Sequence, residues 1–510
     1  MRVVSSRALT VIYLSSHAAA VSAQGVRPAP PELARAVDSL AAHVVATGLA
    51  PALGVAVVMD GQTVLARSHG LADVTRGLRA DDRTLWYLAS TSKSFTGFAT
   101  SLLANEGVIR FDAPITELVP GARWHADARP QTLTLAHFLS HTHGLAGGAA
   151  VVMNAAFTGS IPEARWPELL VWSAPTGSSD LVYSNLGYNV AAMAIDARRP
   201  EGWRRFMDQR VFDPAGMRDT YARVSGLDAS RIAKPHVIDI NGRYATTKFH
   251  KSDATMNSAG GHLSTLRDLA RWVTVQMDSG RIDGRQVFPS SAVALSQRML
   301  APQTRPNAKR FAYFDRHGWA AGWDIGAYEG EPMVSRFGSY HTTRSHLSFL
   351  PRRRIGVVVE TTGRAAWTAT DVIAAFAYDL DAGRQDARAR ADERLRGLYD
   401  RLEADKRQAV ARDSAQRTRP VPSSAELTKV AGRYSHPGYG VVTFTVRDGR
   451  LHYEWGVLSG PVGLVDRSRG QWTLDFIGSP TPVQFATDHE GPASSVQLQG
   501  VTFSRPRSDR

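Results

Sequence analysis

The sequence predicts an α+β fold, in which an antiparallel sheet flanked by helices is followed by a helical connector and a small all-β barrel. Three observations predict this fold. Strand patterns with hairpin turns lie at both ends of a long segment whose middle has apolar residues at helical spacing. A stretch rich in arginine and aspartate follows this segment. Beyond it, short runs alternate apolar and polar residues, which is typical of a barrel.

The composition is that of a globular protein with a large core. Of the 510 residues, 43% are hydrophobic and 21% are charged, and this length suits about two to four domains. The chain contains no cysteine, which excludes disulfides, thiol nucleophiles and cysteine-ligated metal sites. Its formal net charge of +13 favours anionic surroundings, whether nucleic acid, a membrane surface or an envelope polymer.

The first 23 residues have the pattern of a bacterial secretory signal. Arg2 and Arg7 precede an apolar stretch, and small residues lead up to Ala23. This pattern predicts cleavage near Ala23 and a periplasmic or secreted protein. The alternative is the disordered tail of a cytosolic protein. Since no uninterrupted apolar run reaches about 18 residues, no transmembrane segment is predicted.

Periodicity places the helices and strands of the first domain. A stiff lead-in at Pro28, Pro30 and Pro31 precedes a helix over residues 33–46. Two strand pairs lie near the two ends of the domain, and helices lie between them. The strands are 54–59 with 62–69 and 345–350 with 355–360, and the helices include 94–106 and 265–277. We therefore expect the first and last strands of the sheet to be neighbours.

Changes in composition predict the domain boundaries. Residues 31–380 form the first domain, 381–425 a charged helical connector and 426–510 the barrel, with strands such as 441–446 and 451–455. The connector has one narrow apolar stripe, as a solvated helix does. Its arginines suggest nucleic-acid binding, but interleaved acidic residues argue against it, so no nucleic-acid partner is predicted.

Ser90-Thr91-Ser92-Lys93 is the first candidate for catalysis. If a helix begins at Ser90, its hydroxyl and the Lys93 amine lie on the same face, one turn apart. A buried lysine has a lowered pKa and can accept the proton of a serine nucleophile. The tetrad alone is a weak signal, because chance produces roughly half a match in a chain of this length and composition.

Tyr183-Ser184-Asn185 follows some distance downstream and strengthens the signal. A tyrosine phenol beside a lysine amine can transfer a proton. An asparagine amide can orient the lysine and donate to a substrate carbonyl. The alternative is that Tyr183 belongs to the start of an ordinary amphipathic helix.

With these motifs the chain resembles the serine β-lactamase and penicillin-binding-protein superfamily, most of all its class C β-lactamase, D-aminopeptidase and esterase branch. The similarity spans about residues 31–362 and includes further framework segments in order. These are His141-Thr142-His143-Gly144-Leu145, Gly216-Met217 with Thr220, Ser258-Ala259-Gly260-Gly261, Ser264-Thr265 and Asp268-Leu269-Ala270. The resemblance implies a β-lactamase/transpeptidase-like fold and an exported serine hydrolase that needs no metal or organic cofactor.

The mechanism of the superfamily assigns roles to these residues. Ser90 is the nucleophile, and it forms an acyl-enzyme on an amide, lactam or ester carbonyl. Lys93 and Tyr183 share the acid–base work, and Asn185 positions the substrate. The resemblance implies a small-molecule or peptide substrate, including one derived from peptidoglycan. D-amino-acid peptides, β-lactams and small esters all stay open.

The third motif departs from the pattern of the superfamily. Where members carry lysine or histidine, a small residue and glycine, this chain has Arg336-Phe337-Gly338, followed by Thr342-Thr343. Arginine cannot pass a proton, but it can hold a substrate carboxylate and favour deprotonation of its neighbours. The backbone N–H groups of Ser90 and Ser339 are the expected oxyanion hole. The alternative is a catalytically weak or silent relative that binds peptidoglycan or a partner.

Histidines and the C-terminal aromatic residues are further candidates. His137, His141 and His143 have a spacing that suggests metal binding, but no carboxylate lies nearby in the sequence, so a structural role is expected. His341 could act as a substitute proton carrier. Tyr434, His436 and Tyr439 follow the opening pattern of the lipocalin-like domain that several exported members carry, where it is thought to cap or adjust the cleft. Most other barrel aromatics are expected in its core.

Overall fold

The computed structural model describes residues 27–303, 313–487 and 491–506. The predicted signal over residues 1–23 lies outside these residues. In the described part of the chain, no helix is both long enough and apolar enough to cross a membrane.

Helices cover both faces of the main sheet and join it to the barrel. They are α1 (Pro30–Ala46), α2 (Lys93–Asn105), α3 (Ile115–Leu118), α4 (Leu135–Leu139), α5 (Ala150–Met153), α6 (Trp166–Leu169), α7 (Leu186–Asp196), α8 (Gly202–Met207), α9 (Asp213–Ala215), α10 (Leu266–Met277), α11 (Ser290–Gln297), α12 (Trp367–Asp381), α13 (Ala387–Arg417) and α14 (Ser424–Val430). A 3-10 turn, Ala89–Ser92, leads into α2.

The strands of the first domain form one large sheet and three small pairs. They are β1 (Ala52–Met59), β2 (Gln62–Asp73), β3 (Leu78–Arg79), β4 (Trp86–Tyr87), β5 (His236–Ile238), β6 (Tyr244–Thr246), β7 (Leu263–Ser264), β8 (Arg281–Ile282), β9 (Arg285–Gln286), β10 (Ala301–Pro302), β11 (Asp315–Trp319), β12 (Asp324–Tyr328), β13 (Glu331–Tyr340), β14 (Thr343–Leu350) and β15 (Ile355–Thr361). Among the described residues, the large sheet has the order β10-β11-β12-β13-β14-β15-β1-β2-β3.

The sheet joins the two ends of the first domain, as the sequence predicts. β1 pairs antiparallel with β15, and Val57 lies opposite Val357. Val357 and Val359 pack in a cluster with α1 and α12, whereas Val358 packs in the cluster that includes α2 and α10. Because the sheet is covered on both faces, its central strands are apolar at successive positions rather than alternating.

Residues at the start of α1 correct one expectation. The sequence predicts a stiff lead-in and a helix from residue 33, but α1 begins at Pro30, with Pro30 and Pro31 in its first turn. The backbone N–H groups of the first helical turn have no partner within the helix, so a proline there loses no hydrogen bond.

The C-terminal residues form a closed eight-stranded barrel within the described chain. Its strands are β16 (Gly432–His436), β17 (Gly440–Arg447), β18 (Arg450–Trp455), β19 (Leu458–Asp466), β20 (Gln471–Phe476), β21 (Ser479–Ala486), β22 (Ser495–Leu498) and β23 (Val501–Ser504). Tyr434, Tyr453, Trp455 and Trp472 are buried in it, as expected for core aromatics.

The barrel is docked on the first domain through backbone and side-chain contacts. The Asn154 side-chain amide donates to the carbonyl of Gly438 at 3.0 Å. The N–H of Val457 donates to the carbonyl of Thr158 at 2.8 Å. Both hydrogen bonds use backbone carbonyl groups, and they help to set the position of the barrel over the first domain.

The charged connector is the long helix α13. Its apolar stripe is buried against the domain, at Leu395, Leu398 and Leu402. Several of its arginines pair with carboxylates, for example Arg388 with Asp392 at 2.9 Å. The buried stripe attaches α13 along its length to the first domain.

Candidate active site

Ser90 lies in a turn that the surrounding backbone determines. β4, which precedes it, pairs with β7, and Ala89 has a left-handed φ of 46°. A non-glycine residue adopts this conformation only where its surroundings impose it. The turn therefore presents Ser90, which is partly exposed, immediately before α2.

Lys93 is the first residue of α2, and its ammonium is enclosed. Its Nζ donates to Ser90 Oγ at 3.2 Å, to Asn185 Oδ1 at 2.6 Å and to the carbonyl of Ala259 at 2.7 Å. The side chain has no exposed surface. Burial, and to a smaller extent the positive charge of Arg336, lowers the pKa of Lys93 well below its ordinary value.

Tyr183 and Asn185 come from the segment just before α7. The Tyr183 hydroxyl lies 2.6 Å from Ser90 Oγ, and 45% of this residue is exposed. Asn185 is the N-cap residue of α7, and its Oδ1 accepts from Lys93. Tyr183 therefore lies before the helix and not in it, with its phenol against the serine.

Arg336 lies on β13 and makes three polar contacts with its planar head group. Its Nε donates to the carbonyl of Ser90 at 2.9 Å, its Nη1 to Asp324 at 3.2 Å and its Nη2 to the hydroxyl of Tyr183 at 3.1 Å. The guanidinium also lies 4.6 Å from the ring centroid of Trp319. Only 3% of Arg336 is exposed. These contacts hold the guanidinium against Ser90 and Tyr183 rather than presenting it to the cleft.

Gly338 places β13 directly against the Ser90 turn. A Cβ atom on Gly338 would lie 2.0 Å from the carbonyl oxygen of Leu88 and 2.9 Å from the backbone nitrogen of Ser90. Only a glycine permits this approach. The next residue, Ser339, is exposed and lines the same cleft as Ser90.

Thr342 and Thr343 mark the hairpin turn between β13 and β14. The Thr343 hydroxyl donates to the carbonyl of Tyr340 at 2.9 Å, and the Thr342 hydroxyl accepts from the N–H of His236 at 2.9 Å. Both threonines are buried. The two threonines, which differ from the residues usual in the superfamily, therefore stabilise this turn.

The histidines of the first domain form local contacts. The Nδ1 of His143 accepts from the N–H of Leu145 at 3.0 Å, and the Nδ1 of His137 accepts from Thr134 at 3.0 Å. Burial lowers the pKa of His143 to about 4. No three histidine, aspartate or glutamate side chains are grouped closely enough to bind a metal within the described ranges.

His141 lies behind the catalytic tyrosine candidate. Its ring centroid lies 4.7 Å from that of Tyr183 and 4.3 Å from that of Trp319. Its Nδ1 accepts from the N–H of Ser184 at 3.2 Å. Burial, then the nearby charges of Lys93 and Arg336, lowers its pKa well below the ordinary value. The neutral ring therefore packs against Tyr183 and supports its position.

His341 lies at the hairpin turn and faces the barrel. A Cβ atom on Gly478 of the barrel would lie 3.3 Å from its Nε2, and burial lowers its pKa. Its Nδ1 lies 3.4 Å from the hydroxyl of Thr342, so its ring contacts both the turn and the barrel. His346 lies on the side of the sheet that packs against α12, where its Nδ1 is 2.8 Å from Asp371.

Ser90 opens into a cleft of about 1230 Å³ between the first domain, α13 and the barrel. Asn185, Ser339 and Tyr340 line it near Ser90, and Phe476 and Gly478 line it from the barrel. The rings of Phe476 and Phe157 are 5.5 Å apart. The barrel therefore contributes part of the wall of the cleft that contains Ser90.

The sequence predicts five polar residues that the structure brings together here: Ser90, Lys93, Tyr183 and Asn185 from spacing, and Arg336 from the resemblance. It does not predict two residues that hold Arg336 and a third that lines the cleft. Asp324 and Trp319 hold Arg336, and Lys251 lines the cleft. These three residues lie in no motif, and nothing in the sequence alone distinguishes them from other residues of the same types.

The fold and this cluster define a two-part α+β protein whose cleft holds a serine in hydrogen-bond contact with a lysine and a tyrosine. The model of the Beta-lactamase family matches residues 37–381. This is more than half of the chain, and the chain therefore belongs to that family. The predicted resemblance is confirmed, and so is the α+β fold with its C-terminal barrel.

Several known proteins are similar to this chain. It is 24% identical over 444 residues to the Unguisins hydrolase ungD of Aspergillus violaceofuscus, covering 79% of this chain and 75% of that protein. It is 24% identical over 329 residues to Penicillin-binding protein 4 of Amycolatopsis lactamdurans, covering 62% of this chain and 82% of that one. These relatives support a hydrolase-type function in general terms.

Solved structures show the same fold at low identity. The octameric penicillin-binding protein homologue from Pyrococcus abyssi has a TM-score of 0.58 at 18% identity, over 92% of this chain and 99% of that one. The D-amino acid amidase from Ochrobactrum anthropi SV3 has a TM-score of 0.51 at 19% identity, over 64% of this chain and 91% of that one.

Proposed function

We propose that this chain is a serine hydrolase that acts through an acyl-enzyme on an amide, lactam or ester carbonyl. One observation carries the proposal: Ser90 Oγ lies 2.6 Å from the Tyr183 hydroxyl and 3.2 Å from Lys93 Nζ. A serine needs a nearby base to become a nucleophile, and two candidate proton carriers contact this one.

The reaction begins with attack of Ser90 Oγ on the substrate carbonyl carbon. The hydroxyl proton passes to the Lys93 and Tyr183 pair, in which the lowered pKa of Lys93 makes the neutral amine available to accept it. The backbone N–H groups of Ser90 and Ser339 stabilise the developing oxyanion. Asn185 holds Lys93 through its Oδ1 and positions the substrate.

Collapse of the intermediate breaks the bond to the leaving group. Tyr183 returns the proton to the leaving amine or alkoxide, and Ser90 remains acylated. Water then attacks the acyl-enzyme with Tyr183 and Lys93 as the base, and the acid product leaves with Ser90 reprotonated. All of these transfers use groups within the cluster, so the proposed mechanism includes no metal or organic cofactor.

The position of Arg336 favours the hydrolase over the alternative, a catalytically weak or silent protein that binds peptidoglycan or a partner. A drifted site would leave the cation of the third motif away from the serine. Here its guanidinium contacts the Ser90 carbonyl and the Tyr183 hydroxyl. We propose that Arg336 orients Tyr183 and keeps the field around Lys93 positive.

Substrate class and location belong to the same proposal. D-amino-acid peptides, β-lactams and small esters share the nucleophile and the oxyanion hole, and the similarity to an amidase fold and to penicillin-binding proteins supports this group. The pattern of the first 23 residues supports export to the periplasm or beyond.

Covalent labelling tests the proposal. A fluorophosphonate or a fluorescent penicillin should label the purified protein, and Ser90→Ala should abolish the labelling. Ser92→Ala is the matched control, because Ser92 lies in the same turn and its buried hydroxyl has no hydrogen-bond partner among the described residues. Failure of both reagents to label the unmodified protein would favour the silent binding protein. Acyl-enzyme lifetimes on a cephalosporin, a D-Ala-D-Ala peptide and p-nitrophenyl acetate would then rank the substrates.

A further inference from the structure

A second lysine, Lys251, lies in the cleft in a cage of aromatic rings. The Nζ atom of Lys251 is 4.0 Å from the ring centroid of Tyr340, 5.3 Å from that of Tyr87 and 6.0 Å from that of Phe157. The two tyrosine rings meet edge to face at 5.2 Å. Aromatic faces stabilise an ammonium group placed over them.

Few protein acceptors meet this ammonium. Its Nζ donates a hydrogen bond to the carbonyl of Ala156 at 2.5 Å, and no ion pair to Lys251 occurs in the part of the chain that the structure describes. Lys93, in contrast, uses all three of its donors within the protein. Lys251 is partly exposed and lines the cleft, so a ligand in the cleft can reach it.

The surroundings of Lys251 disfavour its charge. Burial lowers its pKa to about 7, although the ring faces offset part of that cost. An anion in the cleft next to the ammonium would compensate the charge directly. The ammonium therefore presents to the cleft a positive charge that no carboxylate among the described residues pairs with.

The position of the cage along β13 shows which part of a substrate it would meet. Alternate residues of a strand face the same side. Arg336 contacts Tyr183, Gly338 abuts the Ser90 turn and Tyr340 contacts Lys251. With a rise of about 3.3 Å per residue, Tyr340 lies roughly 7 Å beyond Gly338. Ser90 therefore lies between the Tyr183 end and the Lys251 end of this face.

The two ends receive different parts of the substrate. Tyr183 is proposed to protonate the leaving group, so the leaving group lies toward Arg336. The acyl part then extends the other way along β13, toward Tyr340 and Lys251. A carboxylate in that part would reach the ammonium if it were roughly 7 Å from the scissile carbonyl.

We propose that Lys251, with Tyr87 and Tyr340, is a subsite for a carboxylate on the acyl part of the substrate, which makes the preferred substrates esters or amides of acids that carry a second carboxylate. The inference rests on the proposed serine hydrolase function, because it uses the direction in which the leaving group departs. It assigns Lys251 to specificity and not to proton transfer.

Two esters of matched size test this subsite. The mono-4-nitrophenyl ester of adipic acid places a carboxylate roughly 6 Å from the scissile carbonyl, and its methyl ester is the neutral counterpart. The acid form should have a kcat/KM about tenfold or more above that of the methyl ester, as an added charged contact provides. In Lys251→Met the ratio should fall to about one. Lys248→Met is the control, because Lys248 contacts Ser459 of the barrel and not the cage, and it should keep the ratio.

A binding measurement separates this inference from the proposed function. Titration calorimetry of monomethyl adipate against dimethyl adipate on Ser90→Ala, and on Ser90→Ala with Lys251→Met, requires no turnover. Tighter binding of the acid that Lys251→Met removes supports the subsite even if Ser90 is never labelled, and that combination overturns the hydrolase alone. Labelling of Ser90 with no preference for the acid, or with a preference that Lys251→Met retains, overturns the subsite alone. Absence of both labelling and acid binding overturns both.

Discussion

Arg336 has a chemical role at the residue scale that lysine or histidine could not fill in the same way. Its planar head group reaches the Ser90 carbonyl, Asp324 and Tyr183 at once, which a single ammonium cannot do with this geometry. It remains protonated, so its charge adds to burial in lowering the pKa of Lys93. The arginine thus favours the neutral amine that the mechanism requires.

We predict that Arg336→Met lowers activity in two separable ways. Loss of the hydrogen bond to Tyr183 should reduce kcat by about 10- to 100-fold, the effect of one charged hydrogen bond. Removing the nearby positive charge also favours the ammonium form and raises the pKa of Lys93. The neutral fraction at a given pH then falls, so the acidic limb of kcat/KM should move to higher pH.

The pH profiles of kcat/KM for the two proteins check this prediction. Arg344→Met is the control, because Arg344 pairs with Asp371 at 3.3 Å, away from Lys93. It should leave the acidic limb in place. A lower plateau with an unshifted limb would mean that Arg336 acts on Tyr183 alone.

Spacing predicted part of this cluster because its members lie in short motifs. Ser90 and Lys93 are one turn apart, and Tyr183 and Asn185 are two residues apart. Asp324 and Lys251 meet their partners only through the fold, since each lies far along the chain from the serine. The sequence suggested that Arg336 could hold a substrate carboxylate, whereas the structure shows that its head group is taken up by Ser90, Asp324 and Tyr183.

At the scale of elements, β13 organises the site by alternation. One face carries Arg336, Gly338 and Tyr340, which contact Tyr183, the Ser90 turn and Lys251, respectively. The close approach at Gly338 aligns the backbone of β13 with the Ser90 turn. A proposed oxyanion hole that takes one N–H from each of these segments depends on that alignment.

We predict that Gly338→Ala disrupts this alignment. The added Cβ would meet the carbonyl oxygen of Leu88 at 2.0 Å, and backbone on both sides must shift. The rate of Ser90 labelling should fall by about 10²- to 10³-fold, as for a lost oxyanion donor. The free energy of unfolding should fall by about 1–3 kcal/mol from overpacking.

Gly397→Ala provides the control for this glycine substitution. Gly397 lies in α13, and a Cβ there would contact no described atom within 4 Å. The alanine should raise the free energy of unfolding by about 1 kcal/mol and leave the labelling rate unchanged. Denaturant unfolding and the labelling time course measure both quantities. Unchanged labelling in Gly338→Ala would contradict the proposed oxyanion hole.

Elements with strong periodicity were predictable, and short polar ones were not. β1 and β15 are runs of valine and neighbouring apolar residues. α10 begins after Thr265, whose hydroxyl accepts from the N–H of Asp268 and so caps the helix. β11 contains Asp315, Arg316 and His317, which no strand pattern includes. It is a strand because β10 and β12 supply its hydrogen bonds, and those come from the tertiary fold.

On the scale of the whole molecule, the barrel and the first domain share one cleft. Gly456 lies at the tight turn between β18 and β19, beside Thr158, and has a φ of 60°. The barrel turn that includes Phe476 and Gly478 lines the cleft near Ser90. The resemblance implied a barrel that caps or adjusts the cleft, but the docking contacts join segments far apart in the sequence, such as Asn154 with Gly438 and Thr158 with Val457. No local pattern in the sequence shows such pairs.

We predict that Gly456→Leu separates the barrel from the first domain and opens the cleft. The Cβ would overlap the carbonyl oxygen of Thr158, at 1.8 Å. Gly500→Leu is the matched control, because Gly500 has a similar φ of 73° but a Cβ there would meet no described atom within 4 Å, so it reproduces the backbone strain without the clash. In Gly456→Leu, proteolysis near Val421, which is 82% exposed, should become faster than in the control.

Labelling of Ser90 by the bulky fluorescent penicillin should rise severalfold relative to labelling by the small fluorophosphonate, since the barrel wall no longer restricts entry. If both variants label and digest alike, the barrel does not limit access to Ser90.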